Sequence, residues 1–180
     1  RAALLGFADE PTPAFTSDPA LRIVVGTAVA SPVTRQDGVA AFVVPGGCGP
    51  ARLLSRAARP TEQTPWTDDQ RSLGVAVSEF VLRSGDNVRV VPIDHPSLTD
   101  GWHAVERDGS ALWRWTDGDA LLPASLFEGW DGPVVIEIRI ALTMRYRDDG
   151  CLLCESAQQM GEPSDQRRPQ ILPARHRARA

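Results

Sequence analysis

The 180-residue sequence predicts an all-β domain, a β-sandwich or jelly-roll-like fold, with a polar tail after it. Three observations predict this. Residues 134–146 place Val134, Ile136, Ile138, Ile140, Leu142, Met144 and Tyr146 on one face and Glu137, Arg139, Thr143 and Arg145 on the other. That period of two is the mark of a long strand with one buried and one wet face. Asp-Gly, a favoured hairpin dipeptide, occurs six times, at 37–38, 100–101, 108–109, 117–118, 131–132 and 149–150. Fifteen prolines punctuate the chain, and those of the first half exclude long helices there.

The elements follow in order. Residues 21–29, 39–44 and 51–56 are apolar runs bounded by Gly, Pro or Asp and read as strands. Residues 66–72 (Trp-Thr-Asp-Asp-Gln-Arg-Ser) read as one helical turn capped by Thr67. In the strand at 73–83 the apolar phase moves from Val75 and Val77 to Phe80 and Leu82, and the slip at Ser78-Glu79 predicts a bulge. Strands at 87–93 and 111–116 come next, the latter setting Trp113 and Trp115 against Leu112, Arg114 and Thr116. Four of the Asp-Gly pairs lie between 100 and 132, the spacing of short strands in a meander. The strings Arg-Gln-Asp-Gly-Val-Ala-Ala-Phe-Val-Val-Pro (35–45) and Arg-Trp-Thr-Asp-Gly-Asp-Ala-Leu-Leu-Pro (114–123) share a pattern and raise the possibility of two related halves. The module is drawn over residues 1–147. Residues 148–180, without aromatics from 155 onward and rich in Arg and Pro, read as a disordered tail.

Composition narrows the function classes. Hydrophobic residues make up 42% and charged ones 23%, ordinary for a globular domain with its own core. The net charge of −4 argues against a nucleic-acid partner, and no apolar run is long enough for a membrane helix. Every basic residue is arginine, in keeping with an Ala-, Pro- and Gly-rich composition. The cysteines Cys48, Cys151 and Cys154 do not make a disulfide framework, and the Cys151–Cys154 pair lacks the second pair of a four-ligand zinc site. Cys48 sits in a Gly-Gly-Cys-Gly-Pro loop that could expose a thiol. The chain opens on Arg1, with no secretory leader pattern, and is expected to have extended further towards the N-terminus.

The residues that could carry chemistry cluster between 102 and 130, where four of the five tryptophans lie. Trp102, Trp113 and Trp115 are interleaved with His103, Glu106, Arg114, Asp117 and Asp119, and these eight are the candidate ligand-binding residues. Flat indole faces beside charged hydrogen-bonding groups suit sugar rings, which stack through C–H faces and bond through hydroxyls. The competing reading is that the tryptophans are core, since each has a large area to bury. Trp102, next to Asp100-Gly101 and so near a turn, is the better candidate for exposure. His103 and Glu106, with His95 upstream, are the only grouping resembling metal ligands, but strand residues three apart point to opposite faces. Asp117-Gly118-Asp119 could offer oxygens to calcium and reads equally well as a hairpin turn. There is no Gly-x-Ser-x-Gly elbow, Walker loop or dinucleotide fingerprint, so the reading leans against an enzyme and expects no cofactor.

The stretch Asp94–Glu106 (Asp-His-Pro-Ser-Leu-Thr-Asp-Gly-Trp-His-Ala-Val-Glu), continuing to Trp113–Ala120, resembles the region downstream of Hint (hedgehog/intein-like) domains in some large bacterial proteins. Asp68–Val77 is similar to the same region, and Gly-Trp-x-x-x-Glu and Arg-Trp-Thr patterns recur in modules attached to bacterial polysaccharide glycosyltransferases. The resemblance covers roughly residues 1–146. Hint self-splicing uses an N-terminal Cys and a Thr-x-x-His block, whereas this chain begins with Arg and sets Thr99 and His103 four apart. It is therefore not the autoprocessing domain. The resemblance implies an accessory β module of a secreted or cell-surface bacterial protein; the partners expected are a polysaccharide, through the tryptophan-rich stretch, or an upstream domain of the same polypeptide. Three readings follow: a non-catalytic carbohydrate-binding module, a structural or protein-interaction domain with buried tryptophans, and a metal-dependent hydrolase using His95, His103, Glu106 and an aspartate.

Overall fold

Apolar alternation and tight turns build two packed antiparallel layers. The computed structural model describes residues 14–64 and 66–148. Its strands are β1 (Phe15–Thr16), β2 (Arg22–Val25), β3 (Ala28–Ala30), β4 (Thr34–Gln36), β5 (Val39–Val44), β6 (Ala51–Leu54), β7 (Val75–Ser84), β8 (Asn87–Val91), β9 (Trp102–Asp108), β10 (Ala111–Thr116), β11 (Asp119–Leu122), β12 (Val134–Thr143) and β13 (Tyr146–Arg147). A single helical turn, α1 (Pro60–Gln63), starts on a proline that suits the first helical position. One layer has the order β4-β5-β12-β7-β10-β9, with β8 also paired to β7, and the other has the order β11-β6-β2-β3. Strands β1 and β13 form a separate pair.

The core lies between the layers. Ile23, Leu53, Ala120 and Leu122 come from the four-stranded sheet and meet Phe42, Phe80, Leu82, Ile136 and Ile138 from the seven-stranded one. Trp102 and Trp130 complete it. A second, smaller cluster sits apart from this core and joins Leu73, Ala76 and Trp115, with the half-buried Trp113 and Met144 against it. Tyr146 is fully buried, donates its hydroxyl to Gly74 O at 2.6 Å and accepts Met144 N at 3.1 Å.

The turn chemistry acts as its sequence suggests at Asp37-Gly38. Both residues take positive φ (51° and 75°) between the paired Gln36 and Val39, the geometry of a primed two-residue hairpin that matches strand twist. Asp117-Gly118 does something else: it carries the chain from β10 in one sheet to β11 in the other. The two similar strings at 35–45 and 114–123 therefore occupy different settings, a hairpin and a crossover. Asp149-Gly150, the Cys151–Cys154 pair and the expected tail lie outside the described residues.

Several expected elements are corrected. The run 21–29 is two strands, β2 and β3, because the chain turns between the paired Val25 and Ala28. The helical turn expected at 66–72 is absent there and lies earlier, at Pro60–Gln63, while Thr67 Oγ1 accepts Asp69 N at 3.4 Å in a local turn. The strand expected over 134–146 ends at Thr143, and its inward face holds only to Ile138. Pairing explains this. Arg139 faces Glu79 and Ile140 faces Val77, so Ser78 is the extra residue of the anticipated bulge in β7. One step on, Ile140 faces Val77 and Leu142 faces Ala76, which makes Ala141 a second bulge, in β12. A bulge moves every later side chain to the other face, and Leu142 is consequently 47% exposed.

Candidate functional site

The site is built by a bulge in β9. Arg114 of β10 faces Val105 and Thr116 faces Trp102, so two steps on β10 span three on β9. The extra residue brings His103 and Glu106, three apart in sequence, to the same stretch of chain, residues 69–72. This corrects the expectation that they diverge, which holds only for a regular strand. His103 Nε2 donates to Ser72 O at 2.7 Å, and Glu106 Oε1 accepts Arg71 Nη1 at 2.8 Å. Glu106 Oε2 accepts the indole Nε1–H of Trp113, its cross-strand neighbour, at 3.1 Å.

The segment that meets them is pinned to the stretch 58–61 before it. Ala58 and Leu73 exchange backbone hydrogen bonds of 3.0 and 2.9 Å, and Thr61 N donates to Asp69 O at 3.3 Å. Within it Arg71 grips Asp69 by two parallel bonds, Nε to Oδ1 at 3.0 Å and Nη2 to Oδ2 at 2.7 Å, the fork geometry that favours arginine over lysine. Trp66 lies five residues before Arg71 and is 86% exposed. Sequence reasoning missed Asp69, Arg71 and Trp66 as site residues. The signal available was a lone tryptophan in a Pro-, Thr- and Asp-rich loop.

Of the eight candidates, His103, Glu106 and Trp113 come together and the others do not join them. Trp102, expected to be the exposed tryptophan, is 7% exposed. Its Nε1 donates to Leu121 O at 2.9 Å and its ring meets Phe80 edge-on at 5.6 Å. The Asp100-Gly101 turn beside it is itself packed on β11, through Leu121 N to Asp100 O at 2.9 Å. Trp115 is buried in the small outer cluster. Arg114, paired with Val77 and Val105, faces the other way; its Nε donates to His103 O, and burial lowers its pKa below the usual arginine value. Asp117 uses its carboxylate to accept Asp119 N at 2.8 Å. Asp119 belongs to the other sheet and pairs there with Arg52, which also reaches Asp100 at 3.0 Å.

Hydrogen bonds from Arg71 hold Asp69 below the usual carboxylate range and outweigh the opposing desolvation. Arg71 is held above its ordinary value by Asp69 first and Glu106 second. Since the folded state favours ionised Asp69, its contribution to stability is complete above the ordinary carboxylate value of about 3.9 and is lost as pH falls through the lower folded value. Asp69→Asn is therefore expected to flatten the acid-side fall in urea midpoint below about pH 4. A fall as steep as that of the parent protein would contradict the pairing.

His95 lies apart from this group, its Nδ1 accepting Ser97 N at 3.2 Å. Among the described residues no group of three or more His, Cys, Asp or Glu side chains could hold a metal ion. Cys48, expected in an open loop, is half-buried against the core, and desolvation raises its thiol pKa. No helix among the described residues is long and apolar enough to cross a membrane. The chain matches no family model, no curated protein and no solved structure.

Proposed function

We propose that this chain is a non-catalytic accessory β module that binds carbohydrate through Trp113, Glu106, His103 and the segment carrying Trp66, Asp69 and Arg71. The observation that carries the reading is Trp66: an indole left 86% exposed forgoes the burial that makes tryptophan valuable in a core, and it does so on the segment whose Arg71 is bonded to Glu106. A wet aromatic face carried on the same segment as a fixed array of donors and acceptors is the combination a sugar ring uses. The resemblance to regions downstream of Hint domains, and to modules attached to polysaccharide glycosyltransferases, supports the same reading.

Trp66→Ala is expected to weaken glycan binding about tenfold, the equivalent of about 1.4 kcal/mol, with an unchanged melting temperature. The measurement is tryptophan fluorescence with iodide quenching across a polysaccharide panel. Binding should protect a red-shifted, quenchable component that the variant lacks. A second reading, a structural or protein-interaction domain, is favoured by the burial of Trp102, Trp115 and Trp130. It becomes the answer if no glycan alters the spectrum of the folded protein.

A further inference from the structure

We infer that the glycan taken by this face is a neutral, hydroxyl-rich polysaccharide and that acidic polysaccharides are excluded, an inference that rests on the carbohydrate reading above. The argument is an inventory of donors, acceptors and charge. A guanidinium carries five N–H groups. Arg71 commits Nε and one N–H of Nη2 to Asp69, and one N–H of Nη1 to Glu106. Among the described residues nothing takes the second N–H of Nη1 or of Nη2, which leaves one on each for a ligand. Glu106 accepts one bond on each carboxylate oxygen, from Arg71 and from Trp113, so each oxygen keeps a further acceptor site. The face therefore offers spare donors and spare acceptors side by side, and a hydroxyl group both donates and accepts.

A uronate or sulfate group only accepts. It could use the spare N–H groups of Arg71 but would meet two carboxylates bound to that same guanidinium, Asp69 Oδ2 at 2.7 Å and Glu106 Oε1 at 2.8 Å from its nitrogens. The trio Asp69, Arg71 and Glu106 carries one positive and two negative charges, so the local sign repels an anion, and the formal net charge of −4 adds a field of the same sign. Trp66 and Trp113 supply neutral stacking surface, which is indifferent to the charge of the sugar.

The test uses the whole chain in affinity electrophoresis and calorimetry, with a neutral glucan and a neutral mannan against polygalacturonate and alginate, at low and high salt. The expected result is binding of at least one neutral polymer with little salt dependence, no competition by either acidic polymer, and at least a tenfold loss in Glu106→Gln. That variant keeps the size of the side chain and a donor-acceptor amide, and its melting temperature identifies any loss that comes from unfolding. Binding of polygalacturonate or alginate that is tighter than the neutral polymers and weakens with salt would overturn the inference while leaving the carbohydrate reading in place. Failure of all four polymers to bind the folded protein would remove the carbohydrate reading itself.

Discussion

Trp102→Ala is expected to lower folding stability by about 3–5 kcal/mol, the range for deleting a large aromatic from a core. The side chain is 7% exposed, packs edge-on against Phe80 and satisfies its indole N–H on Leu121 O. Removal leaves a void between the two sheets and a β11 carbonyl without its donor, and both effects act in the same direction. Urea unfolding followed by circular dichroism gives the difference directly. The same variant, measured where it is still folded, is expected to keep its glycan affinity. Loss of binding without loss of stability would mean that the indole faces a ligand and not the core.

Gly101→Ala is expected to be comparably damaging, about 2–5 kcal/mol, from the combined costs of a left-handed alanine and of overpacking. At φ +74° an added Cβ would lie 2.2 Å from Asp119 O and 2.6 Å from Ala120 Cα. Those are backbone atoms of β11, so relief requires moving a strand that is paired along its length to β6. Gly109→Ala is the control. It shares a positive φ of 55° in the β9–β10 turn but meets nothing within 4 Å, so only the conformational cost of about 1–2 kcal/mol remains. The gap between the two melting temperatures measures how closely the turn before β9 is packed on the opposite sheet. Equal losses would show that the close approach costs nothing.

Much of the fold is legible in the sequence where the cause is local. The alternation through Ile138, the primed turn at Asp37-Gly38 and the phase slip at Ser78-Glu79 all reappear in the structure, because each depends on neighbouring residues alone. The second bulge, at Ala141, left no such trace, since Ile140, Leu142 and Met144 keep the pattern of a regular strand. A bulge is defined by the partner's register, so one strand's sequence shows it only where the apolar phase slips with it, as at Ser78-Glu79 and not at Ala141.

The candidate site divides in the same way. Its chemical ingredients, indoles beside carboxylates and arginines, are visible along residues 102–119, and the all-β class follows from periodicity and turn residues. Which of them meet was decided by tertiary structure. The β9 bulge turns His103 and Glu106 to one stretch of chain, and Arg71 arrives from 35 positions away to join Glu106. Trp102 reads as a residue near a turn, yet the Asp100-Gly101 turn is packed on β11, and burial is set by what lies opposite. Sequence alone determined the strand-and-turn grammar of this protein, because side-chain period and positive φ are properties of short segments. Only the tertiary structure determined which faces are wet, because register, bulges and sheet packing are relations between segments far apart in the chain.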